Sequence, residues 1–219
     1  MNKTACILGA SGLVGGHLLD LLAEQDAYAH IKVINRRSLG ISDAKIEEII
    51  IEDFDKLDEY VAQLKADDYY CCLGTTIKKA GSKEAFKKVD FDYVVNIAAV
   101  AKENDAHTFS VVSAMGAKAG SMIFYNSVKG EMEDAVIALK NTRTFILRPS
   151  LIAGERKEQR AGEDSAQWVF KKLNFLFQGP LKKYGAVEAK QIAYTMVKNA
   201  LDNESSIQII ESDKIQETA

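Results

Sequence analysis

Thr4-Ala5-Cys6-Ile7-Leu8-Gly9-Ala10-Ser11-Gly12-Leu13-Val14-Gly15 stands near the start of the chain, and its reading decides the fold. The first five residues form a short apolar run, the pattern of a strand buried on both faces. Leu13, Val14, His17, Leu18, Leu21 and Leu22 then recur at helical spacing. Between strand and helix lies Gly9-x-x-Gly12-x-x-Gly15. In that context the glycines read as a dinucleotide fingerprint. Gly9 permits a tight turn, Gly12 lets the backbone approach a pyrophosphate, and Gly15, helped by Gly16, lets the helix lie close to the sheet. The phosphates are expected on the free N–H groups and positive dipole end of that helix.

The same alternation continues outward. Strands are expected at residues 31–35, 46–51, 68–73, 108–112 and 144–147. Helices are expected at 57–64, from Glu84 or Asp90 to Lys102, and from Tyr125 to Leu139. Apolar strands separated by single helices imply an α/β fold with a doubly wound parallel sheet of the Rossmann type, in the order 3-2-1-4-5-6. After Pro149 the pattern loosens into a polar stretch from Gly154 to Asp164. Helices near 164–177 and 187–201 and a last strand at 207–211 follow. Leu176-Phe177-Gln178-Gly179-Pro180 falls between helical segments and reads as native chain. Two prolines and no linker composition imply one domain over 1–219, with 150–186 as a small C-terminal lobe on the substrate side.

Composition narrows the function classes. Of 219 residues, 47% are apolar and 27% charged, and the net charge is -3. With no basic excess, nucleic acid is not an expected partner, and no apolar run approaches the ~20 residues of a membrane span. Cys6, Cys71 and Cys72 have neither metal-ligand spacing nor a disulfide framework. They read as apolar filler in strands, and together with a leaderless start they suggest a cytoplasmic protein. His17, His30 and His107 fall on different elements, so no metal site is expected. A helix face carrying Val94, Ile97 and Ala101 suits either a core or a homodimer.

The second strand ends Asn35-Arg36-Arg37, with no acid to accept from a ribose hydroxyl. Guanidinium groups suit a 2′-phosphate by charge and fork geometry, which favours NADP(H) over NAD(H); the alternative is two arginines facing water. Asp53 either accepts from the adenine amino group or caps the helix that follows, and Phe54 is placed to pack on the adenine. In Cys72-Leu73-Gly74-Thr75-Thr76, Gly74 allows a close pass beside the cofactor.

Three residues suggest the chemistry. Tyr125 and Lys129 are four apart, hence on one helix face. An ammonium beside a phenol lowers its pKa from about 10 towards the working pH and makes it a usable acid. Ser113, at the C-terminal edge of the fifth strand, is expected to hold a substrate oxygen, since ligands bind at that edge in open α/β sheets.

Many of these stretches together resemble a family. They are Leu8-Gly9-Ala10-Ser11-Gly12, Asn35-Arg36-Arg37, Cys71-Cys72-Leu73-Gly74-Thr75-Thr76, Ala80-Gly81-Ser82 and Lys88-Val89-Asp90. Val112-Ser113-Ala114-Met115-Gly116-Ala117, Tyr125-x-x-Val128-Lys129-Gly130-Glu131, Leu147-Arg148-Pro149 and Gly154-Glu155-Arg156 complete the series. The chain resembles the atypical short-chain dehydrogenase/reductases, in the branch of the Tat-interacting oxidoreductase-like proteins with an NAD(P)H-binding, NmrA-like fold. The likeness spans most of the first 160 residues and fades after about Asp164. It implies NADP(H) at Gly9, Ser11, Gly12, Leu13, Val14, Arg36, Arg37, Asp53, Leu73, Gly74, Tyr125 and Lys129. Gly15, Phe54, Thr75 and Pro149 complete the expected cofactor contacts. Tyr125 is then the general acid/base, Lys129 its partner and Ser113 the substrate-orienting serine. The sequence departs from the family at Asp90, where many members carry a relay asparagine. Its substrate lobe is also short, which disfavours a nucleotide-sugar. The expected activity is hydride transfer from NADPH to a small carbonyl compound. The alternative is a non-catalytic NADP(H)-binding sensor.

NADPH is expected to raise the melting temperature more than NADH does. Equal shifts in differential scanning fluorimetry would remove the argument from Arg36 and Arg37.

Overall fold

A computed structural model describes residues 2–154, 184–202 and 204–218. Most of the expected lobe, the helix near 164–177 and the Leu176–Pro180 stretch lie outside the described residues. The elements run β1 (Lys3–Leu8), α1 (Leu13–Glu24), β2 (Tyr28–Asn35), β3 (Ile46–Ile50), β4 (Asp68–Cys71), α2 (Ile77–Ala80), α3 (Lys83–Lys87), α4 (Tyr93–Glu103), β5 (Thr108–Val112), α5 (Phe124–Ala138), β6 (Thr144–Arg148), β7 (Ile152–Ala153), β8 (Val187–Glu188), α6 (Ala189–Asp202), β9 (Ile207–Glu211) and α7 (Ser212–Glu217).

Seven strands form one sheet in the order β3-β2-β1-β4-β5-β6-β9. Every pairing in it is parallel. The expected order is therefore present, extended by β9 beyond β6. A separate two-stranded piece joins β7 to β8.

Alternate side chains leave opposite faces of a strand, and the sheet accordingly splits two cores. Ala5, Ile7, Ile31, Val33, Phe145 and Leu147 pack under α1 and α6 with Leu18, Leu22, Ile192 and Met196. Cys6, Leu8, Ile34, Cys71, Val111 and Ile146 pack on the other face with α4 and α5. Cys6 and Cys71 are buried filler, with burial pushing both thiols up to about 12. Val94, Ile97 and Ala101 are wholly committed to this second core, so that helix face leaves nothing for a dimer.

Two expected helices differ. The stretch after β3 forms a tight helix over Phe54–Tyr60, kinked at Lys56, because Asp53 caps it by accepting from the Asp55 N–H. The long helix ending near Lys102 is built in pieces. Thr76 caps α2, Gly81 ends it at φ +87°, and Ser82 caps α3. A widened π turn over Lys88–Asp92 then leads into α4. Such turns insert one residue into the helical ladder and recur at functional sites.

At the β1–α1 turn the glycines act by close approach. Gly9 has φ +97°, and a Cβ there would stand 2.8 Å from the Cys72 carbonyl carbon. A Cβ on Gly15 would lie 2.1 Å from the Gly9 oxygen. Backbone cannot yield as a side-chain tip does, so Gly15→Ala is expected to cost about 1–3 kcal/mol or more. That corresponds to a melting-temperature drop of roughly 3–10 °C; an unchanged melt by circular dichroism would refute the contact.

Candidate active site

The site lies along the C-terminal edge of the sheet. Gly12 caps α1 in extended conformation, and among the described residues no side-chain hydrogen bond caps the first turn. The first N–H groups of that helix have no intrahelical acceptor and point outward. A cavity of about 90 Å³ runs from Gly9 and Ser11 past Asn35 and Arg36 to Phe54 and Leu73. Open backbone donors, glycine where backbone must come close, and a guanidinium at the far wall together fit a dinucleotide. Ser11, Leu13, Val14 and Gly15 flank or form the first turn, as expected.

Arg36 lines this cavity; Arg37 is exposed beside it and does not. Sequence reasoning missed what shapes their loop. The Glu48 carboxylate on β3 accepts from the Leu39 N–H (2.6 Å), the Ile41 N–H (3.0 Å) and Ser38 Oγ (3.0 Å). Those bonds, the Leu39 N–H first, hold its carboxyl below the usual carboxylate range. Two adjacent acids, Glu47 and Glu48, inside an otherwise apolar strand were the available signal. Of the two roles open to Asp53, the carboxylate is observed capping a helix. Phe54 is buried edge-on to Tyr93, with ring centres 5.4 Å apart, and forms a wall of the cavity.

The reacting end centres on α5. Tyr125, Lys129 and Glu133 succeed one another at four-residue spacing on one face. Lys129 is 3% exposed and its Nζ lies 2.7 Å from Asp90 Oδ1, itself 1% exposed. The other oxygen of Asp90 accepts the Thr75 N–H at 2.9 Å. Gly74 sits against the same carboxylate, a Cβ there falling 3.6 Å from Oδ1. Asp90 thus ties the loop after β4, where Leu73, Gly74 and Thr75 lie, to the helix that carries Tyr125. Burial opposes the Lys129 charge, but Asp90 and then Tyr125 outweigh it and hold its pKa above the ordinary lysine value.

Two expectations need correction here. The first concerns Tyr125, whose ring packs on Phe86 at 5.6 Å. Burial raises its pKa above 10.0; Lys129 lowers it, and Asp90 raises it again. The expected depression is absent because burial outweighs the pull of Lys129, and Asp90 adds to the rise. The second concerns Ser113. Its hydroxyl is buried and donates to Glu133 Oε1, and among the described residues it is Ala114, not Ser113, that lines the pocket with Tyr125. Ala114 is the residue beside Tyr125, in a pocket of about 430 Å³ that also holds Met115, Pro149, Ser150, Leu151 and Tyr184. Successive residues leaving a strand face opposite ways, so a one-residue offset sends the serine inward. Pro149 lies at that end, its carbonyl accepting the Met115 N–H at 2.8 Å.

Glu133 was also missed. It is 2% exposed and receives two nitrogens of Arg148, Nη2 at 2.5 Å and Nε at 3.0 Å. Arg148 Nη1 reaches Glu211 at 3.0 Å. The network clamps β6, α5 and β9 together behind the pocket.

Comparison with known proteins identifies the family and the fold. Residues 5–191 match the family described as NAD dependent epimerase/dehydratase. The chain is 39% identical to Protein HTATIP2 of Rattus norvegicus over 175 residues, 78% of this chain and 72% of that protein. It is 35% identical to Protein FMP52, mitochondrial, of Candida albicans over 211 residues, 93% and 92% of the two chains. Among solved structures, a short-chain dehydrogenase/reductase-family oxidoreductase from Burkholderia thailandensis superposes with a TM-score of 0.72, at 16% identity, over 99% of this chain and 94% of that one. MoeE5 in complex with UDP-glucose and NAD superposes with a TM-score of 0.71, at 13% identity, over 99% and 81%. At such identities the structural likeness shows the fold alone.

The expected cytoplasmic location is corrected by the yeast relatives, which carry a mitochondrial designation. Reduced, buried thiols report a chemical condition and not an address, so they had no power to decide it.

A buried pair broken on one side leaves an uncompensated charge. Asp90→Asn is therefore expected to cost about 3–5 kcal/mol, read as a lower urea midpoint at neutral pH. Because the folded-state pKa of Lys129 is raised, the pair's contribution is full below the ordinary lysine value of about 10.4 and is lost only as pH rises past it. A midpoint in Asp90→Asn equal to that of the parent chain would exclude the pair as an anchor.

Proposed function

The chain belongs to the NAD dependent epimerase/dehydratase family, on the branch that holds HTATIP2 and FMP52, and from that membership we propose that it is an NADP(H)-dependent reductase of a small carbonyl compound. Tyr125 is the proton donor and Lys129 its partner. The observation that carries the reading is a phenol at the mouth of an open pocket, on the same helix face as a buried, paired ammonium.

The residues that would hold the dinucleotide are the Gly9–Gly15 turn, Arg36 and the wall of Phe54 and Leu73. When bound, NADPH supplies the hydride that reduces the carbonyl carbon. Tyr125 Oη donates its proton to the carbonyl oxygen as negative charge develops there, and solvent returns a proton to Oη afterwards. A phenol held protonated suits this direction: at neutral pH it is ready to donate, whereas alcohol oxidation needs the phenolate. Lys129 stabilises the phenolate left after donation, and Asp90 limits how far that charge acts before it. Ser113 is a positioning residue; through Glu133 and Arg148 it fixes the backbone that presents Ala114 and Met115. Arg36 supports a 2′-phosphate on the cofactor.

One observation favours a second reading, the non-catalytic NADP(H)-binding sensor: no hydroxyl stands at position 114 to help hold a substrate oxygen. The two readings part on turnover. Under the reductase reading, NADPH oxidation with aldehydes and ketones falls by about 10²–10⁴ in Tyr125→Phe, while NADPH binding by calorimetry is kept. The reduction rate also stays level through neutral pH and declines only above the ordinary tyrosine pKa of about 10. Turnover retained in Tyr125→Phe removes Tyr125 from the acid role; no turnover by the parent chain with any carbonyl favours the sensor.

A further inference from the structure

Arg36 and Arg37 open a loop whose first five residues, 36–40, are all exposed. An exposed chain of that kind visits many conformations, and ordering it costs entropy. One carboxylate brackets the two arginines. Glu48 stands on β3 opposite Val33 of β2. On the near side, Asn35 Nδ2 reaches Glu48 Oε2 at 3.4 Å. On the far side, Oε2 accepts the Leu39 N–H at 2.6 Å, and Oε1 accepts the Ile41 N–H and the Ser38 hydroxyl, each at 3.0 Å. Ser38 Oγ in turn accepts the Gly40 N–H at 3.0 Å.

The later part of the loop has its own anchor. Lys45 Nζ donates to the Leu22, Ala23 and Gln25 carbonyls at the end of α1, at 3.2, 2.8 and 2.7 Å. Lys45 thus holds the part that leads into β3, and Glu48 holds the part that leaves β2. Towards a phosphate at Arg36, Glu48 has two opposed effects. As a negative charge it repels the phosphate, but it acts from a half-buried position at the surface, where salt screens it. As an acceptor of backbone N–H groups it fixes the path of the chain beside the guanidinium groups. Charge-assisted bonds of this kind are about twice as strong as neutral ones, so the fixing effect is the larger.

We propose that Glu48 is a positioning residue that sets the preference for a 2′-phosphorylated cofactor, by holding the loop in the path that keeps Arg36 at the wall of the dinucleotide cavity. The inference rests on the NADP(H) reading above and adds that the selectivity belongs to strand and loop together, not to the arginines alone. A glutamine at this position keeps the size of the side chain but has one acceptor oxygen where two are used. Its amide nitrogen would then face an N–H donor, and that part of the loop would come loose.

Calorimetry with NADPH and with NADH on the full chain tests it without turnover. The parent chain is expected to bind NADPH more tightly. In Glu48→Gln the ratio of the two affinities is expected to fall about tenfold, the equivalent of one charge-assisted hydrogen bond, through weaker NADPH binding with NADH nearly unchanged. A general loss of stability would weaken both cofactors alike and leave the ratio unmoved. In an Arg36→Ala/Arg37→Ala background, Glu48→Gln is expected to change the ratio no further, because its effect passes through the arginines. Should Glu48→Gln not fold, Ser38→Ala decides in its place: it removes one of the bonds from an exposed residue and is expected to lower the ratio about threefold. A ratio that is unchanged or rises in the deciding variant overturns the proposal and leaves the NADP(H) reading standing; a rise would mean that the carboxylate acts as a charge against the phosphate. A further fall in the background without the arginines also overturns it. A parent chain that binds the two cofactors equally overturns the NADP(H) reading and this proposal with it.

Discussion

The buried pair between Asp90 and Lys129 is the contact on which the site depends. Neither charge has appreciable access to water, and their separation is 2.7 Å. Two ions in such surroundings are tolerable only together, since each alone would face a desolvation penalty of several kcal/mol. The pair therefore acts as a register pin. It joins the π turn of residues 88–92 to α5, and through the Thr75 N–H it joins both to the strand end that passes the cofactor cavity. Burial is the largest influence on the Tyr125 phenol, and the pair adds two opposed ones, Lys129 lowering its pKa and Asp90 raising it.

A second buried network does similar work from behind. Glu133 takes the Ser113 hydroxyl and two nitrogens of Arg148, and Glu211 takes a third. Lys129 and Glu133 are one helical turn apart, so α5 is held by opposite charges at successive turns. Its backbone also comes close to the preceding loop, since a Cβ on Gly130 would stand 2.1 Å from the Ala119 nitrogen. Tyr125 is thus presented by a helix fixed at three points, at Lys129, at Glu133 and at Gly130.

The solved structures with 13–16% identity superpose over 99% of this chain, with TM-scores of 0.71 and 0.72. A fold shared so widely does not specify a reaction. The particulars of this chain are local: Ala114 in the pocket with Tyr125, Ser113 turned to Glu133, and Asp90 against Lys129. These particulars bear on the ligand more directly than the architecture does.

Local signals carried most of the fold. Apolar strands from Thr4–Leu8 to Ile207–Glu211, single intervening helices and the Gly9–Gly15 turn determined a parallel sheet and its strand order, because periodicity and glycine sterics act within a few residues of chain. The four-residue step from Tyr125 to Lys129 was legible for the same reason. Other features were settled only by tertiary structure. The π turn that brings Asp90 to Lys129 has no composition of its own, and a charge's effect on a phenol depends on what else that charge touches. Whether Ser113 or Ala114 faces the pocket turns on a single residue of offset at a strand exit, where the sequence fixes the alternation but not its phase. Val94, Ile97 and Ala101 read equally as interface or core until the sheet lay against them. In each case the sequence supplied the groups, and long-range packing, which closes charges in pairs and points side chains inward or out, decided what they do.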